Sequence, residues 1–186
     1  MMSENYQGGY HRWQIRLHWL TLILLVIVYA TIELRTMAAR GSLPGRILTG
    51  THMSCGVLIL TVMVIRLALR CVFKSPQITP RLHWLNKVVS WLGQCALYLL
   101  FIGLPVMGIT SRYLHGIPWQ LFGIPMPQSP HPDVMLSREI IRWHEIIALS
   151  GYWLIGLHAM AALAHQFLRE DNALQNMLPR RWRKTD

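Results

Sequence analysis

The chain has 186 residues, 53% of them apolar and only 14% charged, with a mean hydropathy of +0.31. Soluble domains run at roughly a quarter charged, so an ordinary soluble fold is excluded. The formal net charge of +10 accompanies no basic stripe of a soluble nucleic-acid-binding module, which sets nucleic acid aside as a partner.

Four stretches lack Asp, Glu, Lys and Arg: 17–32, 47–65, 88–111 and 146–168. Each approaches the roughly 20 residues that a helix needs to cross the hydrocarbon core. The expected fold class is an all-α membrane protein, a four-transmembrane-helix bundle in a single domain over 1–186, with helices at roughly 13–34, 45–70, 84–111 and 138–169.

The first helix follows Arg12 and Arg16 and precedes "TMAA", a pattern shared with cleaved signal peptides. Cleavage there would discard His18 and leave the other intramembrane histidines without a counterpart, so a retained anchor is the preferred reading. The second helix carries His52 and, fourteen residues on, Arg66. The third holds no histidine, has His83 just before it, and contains Pro105, which bends a helix.

The next charge-free stretch, 113–132, is long enough to span but holds Pro118, Pro125, Pro127, Pro130 and Pro132. Proline removes backbone donors, and lipid offers no substitute partner, so this segment reads as a loop. Trp119, Leu121, Phe122 and Ile124 fit either a cap over the bundle or a plain connection, and His115 and His131 read as surface residues. The fourth helix contains "WHEIIALSGYWLIGLHAMAALAHQ", with His144, His158 and His165. The terminal "LPRRWRK" reads equally as an interfacial anchor or a solvated tail.

Lys and Arg divide twelve to six between the two sides of such a bundle, the richer side holding both termini and the 74–87 region. The positive-inside rule then places both termini in the cytoplasm. Cys55, Cys71 and Cys95 form no C-x-x-C pair, which argues against a disulfide framework and, with no C-x-x-C-H, against covalent haem attachment.

Ionisable side chains inside a membrane are costly and mark function. On a helix, fourteen residues bring His158 within about 40° of His144 and about 21 Å deeper, on one face. Gly151 lies midway, with Ala148 and Ala162 nearby, leaving room for a flat, bulky group. By depth, His52 pairs with His144 near the outer end and His18 with His158 near the inner end. Two imidazoles from different helices at each of two levels suit two stacked b-type haems, their irons bis-histidine ligated, as relays of single electrons.

Arg66 and Arg16 for the inner haem, and Arg138 or Arg142 for the outer, are candidates to meet propionates, or else they form the ordinary snorkelling border of the helices. A hydrogen bond to a neighbouring helix is the plainer role for any one histidine. A metal-ion or proton path would call for intramembrane carboxylates, and Glu33 and Glu145 lie only at the outer border.

"IRLHWL" around His18, "THMSCG" around His52, "RWHE" around His144 and "GLHAMAALAHQ" around His158 together resemble the bacterial cytochrome b561 family of dihaem inner-membrane cytochromes, over about 10–179. The resemblance implies His18, His52, His144 and His158 as axial ligands of two haem b groups. It also implies a superoxide oxidase-like activity, in which periplasmic superoxide passes an electron through both haems to ubiquinone. His165 then matches a position tied to the quinone site, with Arg16 and Trp19 as possible borders, or else it is an interfacial histidine near the helix end. The alternative is an electron-transfer subunit linking a partner dehydrogenase or hydrogenase to the quinone pool. A haem-free, histidine-lined metal transporter is a third class.

Overall fold

The computed structural model describes residues 9–81, 83–179 and 182. Four helices dominate it: α1 (Arg12–Met37), α2 (Leu43–Val72), α3 (Trp84–His115) and α4 (Val134–Phe167). A two-stranded hairpin, β1 (Trp119–Leu121) and β2 (Ile124–Met126), lies between α3 and α4, and a 3-10 turn follows at Gln175–Met177. All four helices are long and apolar enough to cross a membrane. Much of the 179–186 cationic tail lies outside the described residues, including Arg180, Arg181, Arg183 and Lys184.

Local chemistry sets the helix ends. His11 caps α1 through Trp13 N–H, and the Gln14 side chain returns to the His11 backbone, so both ends of a capping box are present. Ser42 caps α2 ahead of Pro44, and Asp133 caps α4 by accepting from Leu136 N at 2.9 Å. α3 stops at Gly116, whose φ of 72° is open to glycine at little cost. A Cβ there would also lie 2.4 Å from Pro132, so the position excludes side chains on two grounds.

The helices pack as two antiparallel hairpins, α1 along α2 and α3 along α4, joined by a lighter α2–α3 contact. Their shared core is Leu24, Leu25, Ile59, Val62, Met63, Leu100, Phe101 and Leu104. Large apolar residues such as Ile23, Val26, Leu99, Trp153 and Leu157 face outward, as lipid requires. α4 buries only Ser137 and Gly151. It meets α1 through long side chains: Tyr29 donates to the Ala148 carbonyl at 2.9 Å, packs against Tyr152 with ring centres 4.5 Å apart and planes inclined at 54°, and Tyr152 donates to Glu33 at 2.7 Å.

The proline-rich segment is a cap rather than a plain connection, and it contains a short hairpin where a loop was expected. Trp119 pairs with Met126 and Leu121 with Ile124, leaving Phe122 and Gly123 as a two-residue turn. Both have positive φ, 51° and 80°, the sense that matches the twist of a hairpin. Pro125 is tolerated because a two-stranded ribbon has free edges. Phe122 N–H donates to Ser54 Oγ at 3.1 Å, which seats the turn on α2.

At Gly151 a side chain of α1 comes close to the backbone of α4. The Tyr29 hydroxyl, rather than open room for a flat group, fills the space beside it: a Cβ added at Gly151 would lie 2.0 Å from that oxygen. Gly151→Ala is therefore expected to lower the thermal midpoint of the purified protein, by an overpacking cost of about 1–3 kcal/mol. Tyr29→Phe in the same background removes the colliding oxygen and is expected to restore most of the loss.

Candidate functional site: paired histidines at two depths

α1 and α3 run one way and α2 and α4 the other, so early residues of α2 and α4 lie at the level of late residues of α1 and α3. This brings His52 opposite His144, with ring centres 6.4 Å apart and planes inclined at 69°. Towards the other end, His18 from α1 meets His158 from α4 at 6.3 Å and 61°. Both pairs join the helices that the depth argument selected. His18, His52 and His144 are half-buried, whereas His158 is more open.

The outer pair is oriented by main chain. His52 Nδ1 lies 3.1 Å from the Val28 carbonyl, and His144 Nδ1 lies 2.9 Å from the Leu104 carbonyl. A carbonyl only accepts, so Nδ1 carries the hydrogen in both rings and Nε2 presents a lone pair. Metal-binding histidines are commonly oriented through their second nitrogen in this way. The His144 ring lies over Gly108, at 3.7 Å from where a Cβ would be.

The inner pair is organised by charge. Arg66 reaches inward from α2, donating to Thr21 Oγ1 at 2.9 Å and lying 3.2 Å from His18 Nδ1. An arginine only donates, so His18 Nδ1 accepts here, the reverse of the outer rings. Arg66 sits over the Tyr98 ring at 5.9 Å and has no carboxylate partner among the described residues. A half-buried cation without an anion is a site for one.

The other arginines considered from sequence sit at the border. Arg16 is exposed and lies over the Trp13 ring at 5.2 Å. Arg142 turns outward, paired with Glu139 at 2.5 Å and stacked on Trp143, because an acid one turn back on the same helix face is nearer than the bundle interior. The structure thus does not bring Arg142 to the outer pair, and Arg138 is likewise exposed. His115 is not a plain surface residue, since its Nδ1 lies 3.2 Å from Ser137 Oγ within a buried Ser111–Ser137 network. His83 caps α3, and His131 is exposed.

At the inner end, His165 occupies the last turn of α4 and faces Asp171. The chain beyond α4 folds back beneath the bundle. Trp19 Nε1 donates to Met177 O at 3.1 Å, and Asn172 accepts from Thr79 N at 2.9 Å while donating to Gln77 O at 3.4 Å. No motif announces this segment, because its contacts join residues far apart in sequence.

The separations test what the pairs can hold. With metal–nitrogen bonds of about 2 Å and ring centres roughly 1 Å behind each nitrogen, two imidazoles on opposite sides of one metal have centres about 6 Å apart. Both pairs meet that distance. No cluster of three or more His, Cys, Asp or Glu suited to a bare metal ion occurs among the described residues, so a metal held by either pair would have its remaining positions filled by a group of its own. A four-helix membrane protein with this donor set belongs to the class of b-type cytochromes.

Comparison with known proteins gives the particular family. The profile of the prokaryotic cytochrome b561 family matches residues 9–180, and the chain belongs to that family. It is 36% identical over 168 residues to a protein of Yersinia pestis named probable superoxide oxidase CybB, covering 90% of this chain and 94% of that one. It is 36% identical over 169 residues to cytochrome b561 homolog 1 of Escherichia coli K12, covering 90% and 96%. Cytochrome b562 of Cereibacter sphaeroides is 29% identical over 178 residues, covering 92% and 96%. Membership implies a multi-pass electron-transfer protein carrying b-type haem.

Replacing Asn172 by alanine removes two links between the C-terminal segment and the α2–α3 connection. Tryptic cleavage at Lys74 or Arg81 is expected to accelerate severalfold relative to the parent protein, with the helical circular dichroism unchanged. Equal cleavage rates would mean that the segment does not hold the connection in place.

Proposed function

We propose that this chain is a dihaem cytochrome b that transfers electrons from periplasmic superoxide to ubiquinone, with both termini in the cytoplasm. The observation that carries the reading is the presence of two imidazole pairs, at 6.3 and 6.4 Å, at two depths of one bundle. His52 and His144 would hold the outer haem, and His18 and His158 the inner. Haem held by two imidazoles supplies single-electron transfer with no open iron position.

The chain's own residues prepare these places. Val28 and Leu104 fix the outer rings through Nδ1, so that Nε2 is free to bind iron. Arg66 offers a cation to an inner propionate, and engaging it would release His18 Nδ1 from the guanidinium. Tyr29 and Gly151 form a close contact between the two levels of histidines, so the residues that would hold the haems lie on either side of it.

Superoxide is favoured as donor by the name borne by the Yersinia pestis relative and by the outer charge, six Arg against Glu33, Asp133, Glu139 and Glu145. A positive surface raises the encounter rate of a small anion. Two superoxide anions each lose one electron to become dioxygen, and one ubiquinone takes up two electrons and two protons to become ubiquinol. Inward electron flow opposes a negative-inside potential at about 2.3 kcal/mol per 100 mV, which the redox reaction must supply. His165, towards the same end as His18 and His158, would donate to a quinone oxygen.

His144→Leu and His158→Leu are each expected to reduce the haem content by about one of two groups per chain, read as the pyridine haemochrome. In stopped flow, superoxide is expected to reduce the haem rapidly and a soluble ubiquinone to reoxidise it. Haem bands unmoved by superoxide would transfer the donor role to a partner dehydrogenase or hydrogenase, and a colourless protein would overturn the haem assignment.

A further inference from the structure

The turn that ends α4 builds a second polar device. His165 Nδ1 lies 2.5 Å from Asp171 Oδ2, with the histidine side chain 17% exposed and the aspartate 1%. Asp171 is held from both sides: its backbone N–H donates to the His165 carbonyl at 3.1 Å, and its Oδ1 accepts from Ala173 N at 2.9 Å. The chain therefore curls back on itself to put one fixed carboxylate oxygen under the ring.

An ionised carboxylate only accepts, so Nδ1 of His165 carries its hydrogen. Nε2 is then the ring's working atom, and it makes no hydrogen bond among the described residues. When Nε2 also carries a hydrogen, the ring has a proton to give from that atom while Nδ1–H stays on Asp171.

We propose that Asp171 is a positioning residue for proton delivery to the quinone, holding the His165 ring in the tautomer and orientation that aim Nε2 at a quinone oxygen. The proposal rests on the quinone-site reading of His165 given above. In the step, the Nε2–H bond breaks and an O–H bond forms on the quinone as it takes up an electron. The ring is left neutral with Nδ1–H still on Asp171, and Nε2 regains a proton from water on the cytoplasmic side. The same contact would also arise if Asp171 merely closed the helix end, and the two roles separate by experiment.

Asp171→Asn keeps an oxygen for Ala173 N but turns an amide N–H₂ towards His165, which cannot accept from Nδ1–H and so no longer holds the ring. Quinone-dependent reoxidation of the superoxide-reduced protein is expected to fall about 100-fold in kcat, the low end of what general acid catalysis contributes. The KM for a short-chain ubiquinone, the thermal shift that this quinone induces, and the rate of haem reduction by superoxide are expected to stay as in the parent. His165→Gln is expected to show the same slow reoxidation, and adding Asp171→Asn to it no further loss. If Asp171→Asn does not accumulate, Asp171→Ser retains a hydroxyl for Ala173 N and carries the test with the same expectation. Parent-like reoxidation in the Asp171 variant alongside a slow His165→Gln overturns the inference and leaves the quinone site standing. Parent-like reoxidation in both overturns the site as well. Loss of the quinone-induced thermal shift in the Asp171 variant shows a pocket-shaping role and also overturns the inference.

Discussion

An imidazole inside a membrane has two nitrogens, and lipid satisfies neither. The arrangement of this bundle follows from meeting that demand at His52, His144 and His18. At the outer level, carbonyls of α1 and α3 take the Nδ1 hydrogens of His52 and His144, so two helices that supply no ring there still fix where the rings point. The rings in turn require α2 and α4 to stay far enough apart for 6.4 Å between their centres. That spacing explains why α4 buries only two small residues of its own while carrying three histidines.

The inner level meets the same demand with charge instead of main chain. Arg66 serves His18 Nδ1 and Thr21 together, and its positive charge has no protein counter-ion among the described residues. The two levels thus present different surroundings to whatever binds between their rings: neutral carbonyl dipoles outside, a guanidinium inside. A nearby cation favours the electron-rich state of a redox group, so this asymmetry would set apart the electron affinities of the redox groups proposed for the two levels. Between them, Tyr29 closes the space at Gly151 and ties α1 to α4 through Ala148.

The ends of the bundle are closed by segments with little regular structure of their own. At one end, the hairpin hangs on α2 through Ser54, and its buried Trp119 and Leu121 provide apolar packing. At the other end, the chain after α4 gathers Trp19, the 77–79 connection and His165 under one strap. Loops positioned by a rigid helical frame are where reactants commonly meet a protein.

Four spans, the pairing of His18 with His158 and His52 with His144, and the inward face of Arg66 were legible in the sequence, because they depend on two local regularities. Lipid imposes a length of apolar chain, and the helical repeat converts spacing into face and depth. The hairpin at 119–126 was hidden because its turn uses Phe122–Gly123 rather than an Asn-Gly or Asp-Gly signal and its second strand contains proline. The carbonyls that orient His52 and His144, the Tyr29 hydroxyl at Gly151, the outward turn of Arg142 and the Asp171 partner of His165 were decided only by tertiary structure. Each depends on which backbone atom or side chain arrives from another segment, or on a choice between a local partner and a distant one, and periodicity along a single helix contains neither kind of information.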